Sequence, residues 1–211
     1  MTGADRMAPT RMNLLRAARR LERMAKGIAV LRRKREALVS ELFKIARPAA
    51  DARAEIGARA RGAYAALLEA LAVHGRAGLR ALGWPSRDVP LEVAGRSVWG
   101  VAVGTIERRS PLSRTLGARG AAPGSAGPAA VHAATQFEAL AELLVEAAPR
   151  EMLIRRLGDA LARTSRQVNT LERRLAPGLG AQMVSVGRAL EEREREEHLR
   201  LKHLKRRREG R

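Results

Sequence analysis

The stretch that decides the fold is residues 10–45, TRMNLLRAARRLERMAKGIAVLRRKREALVSELFKI. Apolar side chains recur in it at spacings of three and four residues, which places them along one face of a helix. Ala17 and Met24 belong to this apolar seam, and its larger members are Leu14, Leu21, Ile28, Leu31, Leu38, Leu42 and Ile45. The heptad series continues to Val73 with Arg35 and Arg59 as interruptions, and a repeat of this length is typical of a coiled coil.

A first long helix is therefore predicted over residues 10–82, with Thr10 as its N-cap. Pro48 lies inside this range and has no backbone N–H, so it predicts a local kink or interruption. The seam keeps its phase across Pro48, which favours a kink within one helix over a boundary between two domains. Beyond Pro48 the seam is rich in alanine, so a partner helix can approach closely there. Gly83-Trp84-Pro85 is predicted to end the helix.

A central insert follows over residues 83–132. Residues 91–93 and 98–103 are strand-like, with Ala94-Gly95 as a candidate turn between them, and together they favour a short β-hairpin. Trp99 is expected to pack, because a large aromatic side chain has few other roles in a chain with 2% aromatic residues. Residues 117–130 are Gly, Ala, Pro or Ser except for Arg119, and this composition predicts a flexible loop.

A second long helix is predicted over residues 133–208, with Pro149 as a candidate break. Its seam is disturbed at Pro177-Gly178 and ends at Leu190, and its clearest positions are Leu157, Leu161, Val168, Leu171 and Leu175. The predicted fold class is thus all-α. It is a long antiparallel two-helix coiled coil of the N- and C-terminal helices, with a small central insert that holds the short β-hairpin.

The residues that could carry chemistry form no catalytic constellation. The chain has 211 residues, no cysteine and four histidines, and the nearest two, His198 and His203, lie on different helix faces. The acidic residues within 191–197 alternate with arginine, which is typical of a solvated helix face. No phosphate-binding G-x-x-x-x-G-K-[ST] loop occurs. We therefore predict no catalytic residue, no cofactor and no metal site, and a protein that is not an enzyme.

The charge balance leaves a second class of function open. The 41 Lys and Arg residues against 22 Asp and Glu give a net charge of +19, which suggests a basic coiled-coil protein that binds nucleic acid. Against this, the chain lacks the aromatic residues that single-strand binders place among basic ones. No stretch has the apolar length of a signal peptide or a membrane span, so a soluble cytoplasmic chain is expected.

Several motifs resemble those of the D subunit of the V/A-type rotary ATPases. Near the N-terminus they are PTRMNLL at residues 9–15 and KGIAVLRRKREAL at residues 26–38. In the C-terminal half they are RQVNTLE at residues 166–172 and LEEREREEHLRLKHLK at residues 190–205. The match involves both predicted helices in the right order, and VWGV at residues 98–101 is similar to a short central motif of the family.

The resemblance implies a central rotor shaft that carries no catalytic group and transmits torque to or from a membrane ion-translocating ring. It places the chain peripherally at the cytoplasmic face of the membrane, without insertion. The implied partners are the A and B subunits of the catalytic hexamer, the F subunit, and the C subunit (called d in eukaryotes) at the membrane end, with no nucleic acid. Candidate contacts with the hexamer are Arg11, Lys34, Arg35, Asn169, Glu192, Arg193, Arg195 and Lys202.

Overall fold

The computed structural model describes residues 8–82, 88–115, 118 and 126–209. The first helical arm is α1 (Arg11–Ala81). A hairpin of β1 (Leu91–Val98) and β2 (Val101–Arg109) follows it. The second helical arm consists of α2 (Pro128–Thr170), a π-helical turn (Leu171–Leu175) and α3 (Ala176–Glu209). The predicted pair of long helices with a small hairpin between them is confirmed. Within the described ranges, no helix combines the length and hydropathy needed to cross a bilayer.

Contacts group the chain into two units, one made of Met1–Glu36 with Ala162–Arg211 and the other of Ala37–Leu161. We call them the terminal unit and the central unit. Each contains a segment of α1 and a segment of the returning helical arm, so the antiparallel pairing of the arms is present inside both units.

Helix α1 begins after Thr10, whose hydroxyl oxygen accepts a hydrogen bond from the Asn13 backbone N–H at 3.2 Å, so the predicted N-cap is confirmed. Pro48 stays inside α1, and the backbone leaves helical angles at Gly75, with φ 66° and ψ 170°. Pro48 thus does not interrupt the helix, and a separate break lies at Gly75. A positive φ is open to Gly75 because glycine has no Cβ, whereas the φ of Pro48 is fixed near the helical value.

The core of the central unit lies where the two arms meet the hairpin. Leu38 and Leu157 are fully buried and form a cluster with Ala160. Around this cluster pack Leu42, Ile45, Leu153, Leu161, Val98 and Val101. The seam positions at the middle of both arms thus form the core, and the two hairpin valines extend it.

The alanine-rich part of α1 packs against the start of α2 in a second buried cluster, which consists of Ala66, Ala70 and Ala133. Val73, the next position of the heptad series, is instead 66% exposed. Val73 therefore lies outside the contact face, although the heptad series places it there.

Helix α2 begins at Pro128, inside the stretch expected to be a loop over residues 117–130. Proline suits the first turn of a helix, because its fixed φ is already helical and the N–H it lacks would have no partner there. Ala130 is only 3% exposed, so this first turn is already packed. Pro149 lies inside α2, which continues through the candidate break. Residues 117 and 119–125, and the predicted helix stop at residues 83–85, lie outside the described residues.

The hairpin turn lies at Trp99-Gly100, and the predicted turn at Ala94-Gly95 is wrong. Val98 pairs with Val101, whereas Gly95 lies within β1 opposite Gly104. Trp99 and Gly100 both have positive φ, 51° and 77°, which is the requirement of a tight two-residue hairpin turn whose twist matches its strands. Trp99 is 57% exposed, so it does not pack as expected. Its neighbours Val98 and Val101 pack against the Leu38–Leu157 cluster instead.

The second arm changes its helical geometry just before Pro177. In the π-helical turn Leu171–Leu175, the Ala176 backbone N–H donates to the Leu171 oxygen, one residue further back than in an α-helix. A π-helical turn holds one residue more than an α-helical turn, and this one lies just before Pro177, which has no backbone N–H to donate. The buried face consequently moves from Val168 to Leu179, and Leu175 is 49% exposed. Leu175 therefore does not occupy the seam position predicted for it.

Candidate interaction surfaces

The described residues contain no arrangement suited to metal chemistry. Within them, no three His, Cys, Asp or Glu side chains lie close enough together to hold a metal ion. Three surfaces of the described residues stand out: the charged end of the terminal unit, a groove at the π-helical turn, and the exposed apolar side chains of the central unit.

Arginine–glutamate pairs join the two arms in the terminal unit. The Arg32 Nε donates to the Glu172 carboxylate at 2.6 Å. Nearer the helix ends, Arg11 pairs with Glu194, and the Arg193 guanidinium donates to the backbone oxygen of Pro9 at 3.4 Å. These contacts connect residues far apart in sequence, so they fix how the two arms align in the terminal unit.

The cross-arm pairs also shift the pKa values of their members. The hydrogen bond from Arg32 lowers the pKa of the Glu172 carboxyl, and the same bond raises the pKa of Arg32. In the central unit, the hydrogen bond from Arg53 lowers the pKa of Glu151 in the same way. Both carboxylates are therefore ionised throughout the neutral range, and both pairs persist there.

All eight candidate hexamer contacts lie in the terminal unit. Arg11 and Arg193 are engaged in the cross-arm contacts described above. Lys34 and Arg35 are half-buried on α1. The remaining four are exposed: Asn169, Glu192, Arg195 and Lys202.

Helix α3 continues beyond the packed part of the terminal unit. Every residue from 191 to 209 is exposed, including three leucines that are each more than 60% exposed: Leu199, Leu201 and Leu204. The last turn carries Arg206, Arg207 and Arg208. Burial within the chain does not account for the length of this extension, so it is a surface available to a partner.

A groove of about 250 Å³ opens beside the π-helical turn in the terminal unit. It is lined by Arg20, Met24, Leu171, Arg174, Leu175, Gly178, Leu179 and Gln182. The heptad pattern did not predict this groove. The signal that was present is Pro177-Gly178, which disturbs the seam at the point where the groove forms.

The hairpin is hydrogen-bonded to α2 near both ends of β2, and it presents the Trp99 turn outward. At its open end, Arg109 donates to the Glu142 backbone oxygen at 3.0 Å, and the Leu112 backbone N–H donates to the Glu142 carboxylate at 3.2 Å. Near the turn, the Arg156 guanidinium donates to the Ala102 oxygen. The hairpin thus holds the exposed Trp99 in a defined position.

Other large apolar side chains of the central unit are also exposed. Phe43 is 72% exposed and Leu68 67% exposed. Tyr64, 59% exposed, makes an edge-to-face contact with Phe137 at a ring-centroid distance of 5.6 Å. Exposed apolar side chains of this size mark partner surfaces when they lie together, and Tyr64 and Leu68, four residues apart, share one face of α1.

Comparison with known proteins connects this architecture to one family. A family model described as the D subunit of ATP synthase matches residues 13–206, which include both helical arms and the hairpin. The chain belongs to the ATP synthase D-subunit family. The matched range contains all but one of the candidate contact residues, the exception being Arg11, which lies just ahead of it.

Curated relatives resemble the chain over nearly its whole length. The V-type ATP synthase D subunit of Anaeromyxobacter sp. (strain Fw109-5) is 39% identical over 204 residues, covering 96% of this chain and 94% of the relative. The V-type ATP synthase D subunit of Thermus thermophilus is 37% identical, covering 95% and 88%. The A-type ATP synthase D subunit of Methanoregula boonei is 33% identical, covering 93% and 94%.

Proposed function

We propose that the chain is the central rotor subunit of a V/A-type ATP synthase or ATPase, which transmits torque between a catalytic A/B hexamer and the membrane ion-translocating ring. The observation that carries the proposal is the family match over residues 13–206. The relatives that support it are named as D subunits of V-type and A-type ATP synthases. In this reading the chain works at the cytoplasmic face of the membrane, as a peripheral and non-catalytic component.

The cross-arm contacts supply the stiffness that torque transmission needs. In the central unit, the Leu38–Leu157 core and the Arg53–Glu151 pair tie the two arms together. In the terminal unit, the Arg32–Glu172 pair does the same. A torque applied to one arm is therefore shared by the other, because tightly packed helices resist sliding past each other.

A single chain inside a hexamer of alternating subunits makes different contacts with each catalytic pair. The rotation angle of the chain determines which contacts each catalytic site receives, and these contacts can favour a different conformation at each site. The terminal unit supplies such contacts, since it carries the eight candidate residues and the exposed end of α3. This is why we assign the terminal unit to the hexamer.

The central unit carries surfaces for the remaining partners. Its exposed apolar side chains, among them Phe43, Leu68 and Trp99, are suited to protein contacts that remove them from water. We assign this unit to the F subunit and to the C/d subunit at the membrane end. The net charge of +19 leaves nucleic-acid binding as the rival function, and the family match favours the rotor.

The test is a reconstitution of the ATPase from its separate subunits with and without this chain. We expect ATP hydrolysis to drive ion transport into proteoliposomes only when the chain is present. A complex without the chain that pumps the same number of ions per ATP would contradict the proposal. Binding to DNA that weakens steeply with salt, without association with the A and B subunits, would favour the nucleic-acid function.

A further inference from the structure

The groove at the π-helical turn combines an apolar interior with a basic rim. Met24 and Leu171 are half-buried in it and Leu179 is 9% exposed, so the interior is apolar. Arg20 and Arg174 line its exposed edge. Its volume of about 250 Å³ lies below the ~300–1,000 Å³ usual for small-molecule sites. A groove of this size and lining suits one or two side chains of a protein partner.

The groove is open because two local features keep side chains out of it. The π-helical turn places Leu175 at the edge of the groove, where it is 49% exposed. Gly178 contributes no side chain, and a Cβ built there would meet nothing within 4 Å. Isolated π-helical turns occur frequently at functional sites, which fits a role for this one.

The rim arginines are available to a partner. Within residues 8–82, 88–115, 118 and 126–209, neither Arg20 nor Arg174 forms an ion pair. The carboxylates next to them in sequence are engaged elsewhere: Glu172 with Arg32, and Glu22 with Lys26. The rim is therefore a concentration of positive charge that complements carboxylates.

We propose that this groove docks an acidic segment of the catalytic hexamer, which inserts an apolar side chain over Leu171 and Leu179 and presents carboxylates to Arg20 and Arg174. The proposal rests on the rotor function proposed above. It adds that the helical irregularity is a binding feature of the shaft, at which the rotor engages the hexamer by charge and shape together.

Filling the groove tests the proposal without weakening the shaft. Gly178→Leu adds an aliphatic side chain to a residue that lines the groove, and leucine favours helix more than glycine does. The matched control is Gly187→Leu, also on α3 and also with nothing within 4 Å of a built Cβ, but outside the groove. We expect Gly178→Leu to weaken binding of the full chain to the isolated A/B hexamer by about tenfold, and the control to leave it unchanged.

Charge reversal tests the rim. We expect Arg174→Glu to weaken hexamer binding at low salt, with the difference shrinking as salt is added, since exposed charges are screened. Arg188→Glu is the control, because Arg188 is exposed on α3 and lies outside the groove lining. A photo-crosslinker in place of Leu175 should capture a hexamer peptide that carries Asp or Glu beside an apolar residue.

The outcomes separate this proposal from the rotor function. If the wild-type chain binds the hexamer and Gly178→Leu binds equally well, the docking proposal is overturned and the rotor function stands. Capture of the F subunit, or of a hexamer peptide without acidic residues, also overturns the docking proposal. If the wild-type chain does not bind the hexamer at all, the rotor function fails and the docking proposal fails with it.

Discussion

At the scale of single residues, Leu38 and Leu157 are fully buried, although many side chains of the helices are exposed. We expect Leu157→Ala to lower the free energy of unfolding by about 2–5 kcal/mol, because it removes a buried side chain and leaves a cavity. Leu199→Ala, at a position 66% exposed, should change it by less than about 0.5 kcal/mol. Chemical denaturation followed by circular dichroism measures both, and equal losses would contradict the assignment of this core.

The Arg32–Glu172 pair predicts a pH dependence of stability. Because the pKa of Glu172 is lowered in the folded chain, the pair contributes stability above the ordinary glutamate pKa of 4.5, and this contribution is lost as pH falls through the folded-state pKa. Wild type should therefore melt at a higher temperature than Glu172→Gln at pH 7. The difference should vanish well below pH 4.5. Glu191→Gln, at an exposed position outside the cross-arm pairs, serves as the control for loss of one carboxylate and should leave the melting temperature at pH 7 unchanged.

At the scale of elements, the hairpin turn holds a bulky residue in a left-handed conformation. A positive φ costs a non-glycine residue about 1–2 kcal/mol, and Trp99 recovers little by burial since it is 57% exposed. Asparagine adopts this conformation more readily. We expect Trp99→Asn to increase the protection of the Val98 and Val101 amides against hydrogen exchange. Reduced protection would show that the indole stabilises the turn in a way its exposure does not reveal.

The sequence predicted the elements better than the irregularities between them. Heptad spacing correctly placed Leu38 and Leu157 on the facing sides of two helices, because burial there depends only on helical periodicity. It misplaced Leu175, because Leu175 ends a π-helical turn whose extra residue breaks the spacing on which the heptad pattern depends. The predicted hairpin turn was also wrong, since Ala94-Gly95 satisfies local turn preferences while the pairing of both strands requires the turn at Trp99.

The candidate surfaces likewise include one that the sequence could predict and one that it could not. The charged end of α3 could be recognised from composition, because its many charged residues and few apolar ones offer little to bury. The groove could not, since it arises from a backbone irregularity and from the empty space beside Gly178. The positions of Arg20 and Arg174 at one rim depend on how the arms pair, which no local pattern of the sequence specifies.

At the scale of the whole molecule, we expect the exposed end of α3 to contribute to the coupling of ATP hydrolysis to ion transport but not to the stability of the fold. Deleting residues 199–211 removes exposed side chains and surface ion pairs worth about 0–1 kcal/mol each, so the melting temperature should change little. Association with the hexamer, or ion transport per ATP, should fall. The same deletion should have no effect on binding of the F subunit. A truncated chain that unfolds while surviving complexes pump normally would make the extension purely structural.

The central claim is that this chain turns inside the hexamer, and rotation is its most direct measurement. A bead attached to the central unit, away from the hexamer contacts proposed for the terminal unit, is followed while an immobilised A/B hexamer bound to the full chain hydrolyses ATP. We predict continuous rotation in one direction that stops when ATP is exhausted. A bead that stays stationary, or diffuses equally in both directions, while hydrolysis proceeds would contradict the account.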